Sequence, residues 1–482
     1  MQTIERRHLL SPGARIGGEW IAGETRFAVR DPSNGAVIAE VADLGADAAR
    51  NAVDAAARAL PTWRRSPANE RSRLIEAWAG ALLEAREDLA RLLTWEQGKP
   101  LRQARDELSQ GAASLRWFAE ENRRAQGHTL PVNNAGVRNL TIKQPVGVVT
   151  AITPWNFPAA AVLVKCGAAM AAGCTVVLKP SEFTPLIALA VARLAAEVGI
   201  PAGVLNVVTC SSAGAVGEVL TTEPRVQMVS FTGSTQVGKA IMGKAAGGVK
   251  KVALELGGNA PFIVFEDADL AQAADAAIGA RFYNSGQICI GANRFFVQDS
   301  IYERFVSELA ARVARLRLGS GFEPDTDVGP LINEQAVAKV ASLVDEARSQ
   351  GARAVVGGQR AARGGLFYEP TVLRDVTPAM ALYRTEIFGP VAPVYRFSSE
   401  DEVIARANET DAGLSAYVYT SQVGRLWRMS EELEAGMVGA NTTSICAPEV
   451  PFGGIKHSGL GREGGPGCLD EYLEVKSICF GL

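Results

Sequence analysis

Between residues 146 and 246 four short apolar runs alternate with four helical patterns, and this rhythm constrains the fold more than any other feature of the chain. The runs lie at 146–152, 175–178, 204–208 and 226–231, with helical patterns over 159–172, 185–198, 213–220 and 235–246. Buried strands separated by helices predict parallel strands covered on both faces, a doubly wound α/β sheet. A second α/β series is predicted from strands at 252–256, 261–265, 295–298, 354–356, 392–397 and 416–419, with helices over 269–280, 302–314 and 335–349. Ahead of both, an antiparallel ribbon is expected over 18–41 and helices over 47–60, from Ser66-Pro67 onward, and over 100–127. Ser66 reads as an N-cap, with Pro67 at the first helical position. A last strand is expected over 471–479. A length of 482 residues suits two or three structural units. The first half reads as a cofactor domain and the second as a catalytic one.

Charge and cysteine content narrow the function. The net charge is −3, with no long basic run, which argues against a nucleic-acid partner. Segment 158–178 is the nearest approach to a membrane span, but Lys165 near its centre would cost about 2.5–3.5 kcal/mol on insertion. A buried helix followed by a buried strand is the better reading, with no membrane partner. Seven scattered cysteines do not form a disulfide framework and fit a reducing compartment such as the cytoplasm. Only three histidines are present, His8, His128 and His457, and none sits in a zinc-like or nucleophile-elbow pattern. An enzyme built on this chain therefore uses a carboxylate as its base.

Five segments carry chemistry. In Phe231-Thr232-Gly233-Ser234-Thr235-Gln236-Val237-Gly238-Lys239-Ala240 an apolar strand runs through a glycine turn into a helix, which suits a phosphate or dinucleotide. The spacing nearly makes a P-loop, leaving a nucleotide-binding protein as the alternative. That motif needs Ser or Thr after the lysine, and here Ala240 stands there. Lys179-Pro180-Ser181-Glu182 ends another strand, where Lys179 and Glu182 can face ribose hydroxyls; a carboxylate there favours NAD over NADP. Glu255, flanked by Leu254 and Leu256 and followed by Gly257-Gly258, is a candidate base whose pKa burial would raise. Cys289 follows Tyr283-Asn284-Ser285-Gly286-Gln287-Ile288, a turn able to present a nucleophilic thiol. In Thr153-Pro154-Trp155-Asn156-Phe157-Pro158, a proline-framed turn can aim the Asn156 amide at a developing oxyanion.

Together and in this order, these motifs resemble the aldehyde dehydrogenase superfamily across essentially the whole chain. Glu386-Ile387-Phe388-Gly389-Pro390-Val391 and Pro451-Phe452-Gly453-Gly454 extend the likeness. The resemblance implies a Rossmann-like cofactor domain (residues 1–121 and 142–253), an α/β catalytic domain (254–455) and a small β arm (122–141 and 467–482) that makes homodimers or homotetramers. It implies Cys289 as nucleophile, Asn156 and the Cys289 N–H as oxyanion donors, and Glu255 as the base that hydrolyses a thioester. Trp155, Lys179, Ser181, Glu182, Gly233, Ser234, Gly238, Leu256, Glu386 and Phe388 would contact NAD, with NADP as the other possible cofactor, and Phe452 would line the aldehyde pocket. A non-catalytic structural use of the fold gives no reason to keep the Cys, Glu and Asn set.

The stretch from Phe452 to Glu463 and Glu471-Tyr472-Leu473-Glu474-Val475-Lys476 most resemble the succinate-semialdehyde dehydrogenase class. That class holds its substrate carboxylate with two arginines, whose places here fall to Val164 and Tyr283. A neutral or aromatic aldehyde therefore fits better than a dicarboxylic semialdehyde, unless Lys165 or Arg294 takes over carboxylate recognition. Gly291 stands where some members carry a second cysteine, so no redox switch is expected at that pair.

Overall fold

The computed structural model describes residues 4–11 and 13–482. Its architecture is α/β, built on two large sheets. In the first, the parallel strands run in the order Leu205–Val207, Thr175–Lys179, Val148–Ile152, Val226–Thr232 and Lys251–Glu255. An antiparallel hairpin, Ala14–Ile16 with Glu19–Ile21, closes one edge, and Gly459–Leu460 closes the other.

The helices are α1 (Ala46–Trp63), α2 (Ala68–Glu84), α3 (Arg86–Gln97), α4 (Leu101–Glu121), α5 (Pro158–Ala171), α6 (Pro185–Glu197), α7 (Ala213–Thr222) and α8 (Thr235–Ala246). Period-two alternation decides which layer each strand residue meets. Val149, Val176 and Leu178 enter the core shared with α2, α4, α5 and α6, whereas Val148, Val177 and Val229 face α1, α7 and α8. Pro158 and Pro185 start α5 and α6, and two buried carboxylates finish those starts. Glu107 accepts from the Ala159 and Ala160 N–H groups at 2.9 and 3.0 Å. Glu96 accepts from Leu186 and Ile187, both at 2.8 Å. Both acids thus satisfy amides that a helix start leaves unpaired.

The second sheet runs Arg353–Val356, Thr371–Arg374, Val391–Phe397, Ala292–Gln298, Ala260–Val264, Ser415–Tyr419 and Met437–Ala440, parallel except at its first strand. Phe262, Val264, Phe295 and Val297 pack against α9 (Leu270–Phe282) and α10 (Tyr302–Val313). Ile263, Phe265 and Phe296 turn to the opposite layer, with α11 (Glu334–Ser349), α12 (Glu400–Asn408) and α13 (Val423–Glu432). A three-stranded arm pairs Leu473–Gly481 with Val137–Pro145 and Thr129–Leu130, leaving Leu130, Val475, Phe480 and Leu482 exposed.

Several sequence expectations shift. The strand expected to open the second series, 252–256, is instead the last parallel strand of the first sheet, in register with Val226–Thr232. An apolar strand suits either sheet; pairing decides. Ser66 does not cap α2: its hydroxyl bonds back to the Trp63 carbonyl at 2.6 Å, and the helix begins after Pro67. The long helix expected from there is two, α2 and α3, divided at Ala85. The third ends at Glu121, before a short 3-10 turn over Asn122–Arg124, and not at Gly127. Segment 158–178 is α5 followed by a buried strand. Among the described residues no helix is long and apolar enough to cross a membrane.

Candidate active site

In the first sheet the chain builds outward from Val148–Ile152 in one direction, then returns to place Val226–Thr232 on its other side. Such a reversal opens a crevice at the carboxyl ends of the two strands, where open α/β sheets bind ligands. The Thr153–Phe157 turn leaves one strand there and Gly233-Ser234 leaves the other. Next to them, Lys251–Glu255 is the last parallel strand of the sheet, and the chain enters the second sheet at Ala260, so Leu256-Gly257-Gly258-Asn259 crosses between the sheets. Cys289 lies between α9 and the strand Ala292–Gln298 of the second sheet. A Cβ on Gly258 would collide with the Cys289 carbonyl oxygen, which shows how tightly the crossing packs on the thiol's loop.

The loop ahead of Cys289 is strained and held in place. Asn284, Ser285 and Gly286 are left-handed in succession, with φ of 47°, 58° and 74°. For the two non-glycines this costs about 1–2 kcal/mol each, and surrounding contacts must hold it. Asn284 donates its backbone N–H to Gln103 Oε1 at 2.8 Å and accepts from Gln97 Nε2 at 3.0 Å. Ser285 Oγ donates to the Gly329 carbonyl at 2.9 Å.

Cys289 is half-buried, and burial, reinforced by the carboxylates of Glu255 and Glu386, pushes its thiol well above the usual range. Glu255 is only 5 % exposed, and its Oε2 has no hydrogen-bond partner. Burial and the neighbouring Glu463 drive its pKa up, against Lys165 and Arg462. Asn156 is buried, and its Nδ2 donates to the Gln287 carbonyl at 3.0 Å. An amide carries two N–H donors, so one anchors the side chain and the other remains for a ligand.

Several cofactor candidates stand just beyond the carboxyl ends of the first sheet's strands. Gly233 precedes Ser234, which caps α8 by accepting from the Val237 N–H at 3.3 Å. Glu386 accepts from the Gly258 N–H at 3.0 Å, and a Cβ on Gly257 would lie 2.8 Å from its Oε2. The floor there is bare backbone beside a carboxylate, which suits a dinucleotide with its ribose hydroxyls on Glu386. Trp155 meets Phe388 edge-on at 5.5 Å, and Lys179 Nζ lies 3.5 Å from Glu182. Ser181 Oγ lies 3.5 Å from the Glu182 carboxylate. Gly238 has a packing role, since a Cβ there would run into Leu256. Lys239, the would-be P-loop lysine, meets His457 Nδ1 at 3.3 Å, with Ala240 inside α8.

Tyr283 stacks parallel to Phe157 at 6.4 Å, its hydroxyl donating to the Gln103 carbonyl at 3.4 Å. Phe452 packs in one apolar cluster with Cys289 and Ile290, whereas Val164 packs against the core of the first sheet. Neither proposed substitute for the missing arginines is free. Lys165 is paired with Glu463 at 2.6 Å, and Arg294 donates to the carbonyls of Asn259, Arg406 and Ala407.

Sequence reasoning missed Lys99, Glu107, Glu463 and Cys446. Glu463 and Cys446 lie in segments flanking Phe452; Lys99 and Glu107 flank the start of α4, with no local sign of the Asn156 turn they sit behind. Cys446 is exposed.

Residues 20–478 match the Aldehyde dehydrogenase family. The chain is 50% identical over 477 residues to the succinate-semialdehyde dehydrogenase [NADP(+)] GabD of Escherichia coli, covering 98% of this chain and 99% of that one. It is 52% identical over 484 residues to the 3-sulfolactaldehyde dehydrogenase of Pseudomonas putida, covering 100% and 99%. The crystal structure of betaine aldehyde dehydrogenase from Staphylococcus aureus in complex with NAD+ superposes with a TM-score of 0.96 at 37% identity, covering 98% of this chain and 96% of that one.

Proposed function

The chain belongs to the aldehyde dehydrogenase family and oxidises aldehydes with NAD or NADP; from that premise we propose that Cys289, Asn156 and Glu255 carry the reaction. Cys289 attacks the aldehyde carbon as the thiolate, its proton having passed to solvent. The resulting oxyanion is held by the second N–H of Asn156 and the Cys289 backbone N–H. When bound, NAD or NADP would supply a hydride acceptor; Glu386 and Phe388 would hold the nicotinamide end, and Lys179, Ser181 and Glu182 the adenosine ribose. Loss of hydride leaves an acyl group on Cys289. Glu255 then takes a proton from water, which hydrolyses the thioester to a carboxylic acid and frees the thiol.

The observation that carries this reading is the buried Glu255 oxygen without a partner, beside a half-buried thiol whose carboxylate neighbours include Glu255. Glu255→Gln tests it. The variant should acylate at Cys289 and then stall, so a mass spectrum taken during turnover shows the acyl adduct. Free enzyme alone, with wild-type turnover, would remove Glu255 from the hydrolytic step.

The substrate reading is an aldehyde whose far end is uncharged or aromatic. The Escherichia coli relative is named for a substrate with a distal carboxylate. Here Val164 and Tyr283 carry no charge, and Lys165 and Arg294 are committed elsewhere. The Glu182 carboxylate favours NAD, because it repels a 2′-phosphate. The arm's exposed Leu130, Val475, Phe480 and Leu482 support a homodimer or homotetramer. The cofactor, catalytic and arm divisions given above and a cytoplasmic location complete the reading.

A further inference from the structure

Behind the Asn156 turn lies a buried charge pair that the reaction above does not use. The side chains of Lys99 and Glu107 are both 0% exposed and ion-paired. Isolated burial of such a pair is a weak source of stability, so what it touches matters. Lys99 Nζ donates to the Asn156 carbonyl at 2.8 Å, and Asn284 Nδ2 donates to the same oxygen at 2.9 Å. Glu107 is fixed in turn by the first-turn amides of α5, the helix that begins directly after this turn. Lys99 also sits 4.1 Å over the Phe157 ring. Asn284 belongs to the left-handed loop ahead of Cys289, so one carbonyl ties the oxyanion turn to the nucleophile loop.

We propose that Lys99 and Asn284 are positioning residues: together they clamp the Asn156 carbonyl, and the clamp aims the free Asn156 N–H at the oxyanion formed on Cys289. The inference rests on the oxyanion role of Asn156 and adds the device that fixes its backbone. The amide side chain is anchored at one N–H by Gln287, and its remaining freedom is rotation of the peptide that bears it. Two donors on that peptide's oxygen remove this freedom. Displacements of about 1 Å in such groups slow reactions by roughly 100-fold.

The test uses the full chain with NAD and four variants: Lys99→Met, Lys99→Met with Glu107→Gln, Asn284→Gly and Asn156→Ala. Lys99→Met alone leaves Glu107 buried without its cation and can fail to fold. The double variant neutralises both partners, and Asn284→Gly removes the second donor at a left-handed position that glycine tolerates. Two reactions at Cys289 are compared. Acylation by p-nitrophenyl acetate forms an oxyanion; alkylation by iodoacetamide does not. The double variant and Asn284→Gly should each acylate roughly 10- to 100-fold more slowly, with alkylation changed by less than about 2-fold. A parallel fall in both reactions would mean general loosening and would overturn the proposal, as would unchanged acylation. Asn156→Ala separates the two claims. If it slows acylation while the clamp variants do not, the clamp alone is wrong; if it too acylates normally, the oxyanion role fails.

Discussion

Replacing Tyr283 with arginine should turn the enzyme toward aldehydes that carry a distal carboxylate. The phenol ring lies parallel to Phe157 at 6.4 Å, and its hydroxyl makes one long bond of 3.4 Å to the Gln103 carbonyl. Losing the ring contact costs about 0.5–1.5 kcal/mol, and the long bond adds little. The new guanidinium finds compensating charge nearby: burial is the main cause of the raised Tyr283 hydroxyl pKa, and the neighbouring Asp106 and Glu107 add to it. A charge-assisted hydrogen bond to a substrate carboxylate is worth about 1.5–3 kcal/mol, or roughly 10- to 150-fold in kcat/KM at about 1.4 kcal/mol per decade. The assay is the ratio of kcat/KM for succinate semialdehyde to that for benzaldehyde, in wild type and Y283R. The wild-type ratio should lie below one and rise by at least tenfold in the variant. A ratio unchanged within twofold, in a variant that still oxidises benzaldehyde, would show that position 283 does not face the substrate's far end. A wild-type ratio far above one would overturn the uncharged-substrate reading.

Other expectations follow from the same geometry. Burial raises both the Cys289 thiol and the Glu255 carboxyl, and the reactive forms are the deprotonated ones. Turnover should therefore fall as pH drops through these raised values and climb toward alkaline pH, and Glu255→Gln should lose the part of that dependence belonging to acyl hydrolysis; a flat stopped-flow profile would contradict this. Gly258→Ala should cut kcat by roughly 100-fold, because its Cβ meets the Cys289 carbonyl, while Gly279→Ala on α9, where nothing lies within 4 Å, should leave kcat intact and raise the melting temperature slightly. Equal kcat values for the two would refute the packing argument. Glu182→Gln releases Lys179 from its 3.5 Å pair and should raise kcat/KM for NADP relative to NAD by roughly tenfold or more; an unchanged ratio would place the 2′-position elsewhere.

Local pattern carries much of this molecule and then stops at identifiable places. The strands at 148–152, 175–179 and 226–232 announce themselves, because each is apolar on both faces and bounded by turns. The strand ending in Glu255 has the same composition, and nothing within it says which sheet it joins. Cys289 and Asn156 stand out because a turn surrounds each. Lys99 does not: its contact with Asn156 spans 57 residues of sequence. Left-handed Asn284 and Ser285 were equally silent, since glycine is the usual marker of that conformation and the strain is held by Gln97, Gln103 and Gly329 from other segments. Lys165 and Arg294 looked available for a substrate only while their partners, Glu463 and the carbonyls of Asn259, Arg406 and Ala407, were unknown.

The crossing from Glu255 to Ala260 has a mechanical consequence. On the proposed reading the base ends a strand of one sheet and the nucleophile's loop leads into the other, with four residues of tether between the two sheets. Because Gly258 in that tether lies against the Cys289 carbonyl, a shift of one sheet against the other is felt at the loop that bears the sulfur.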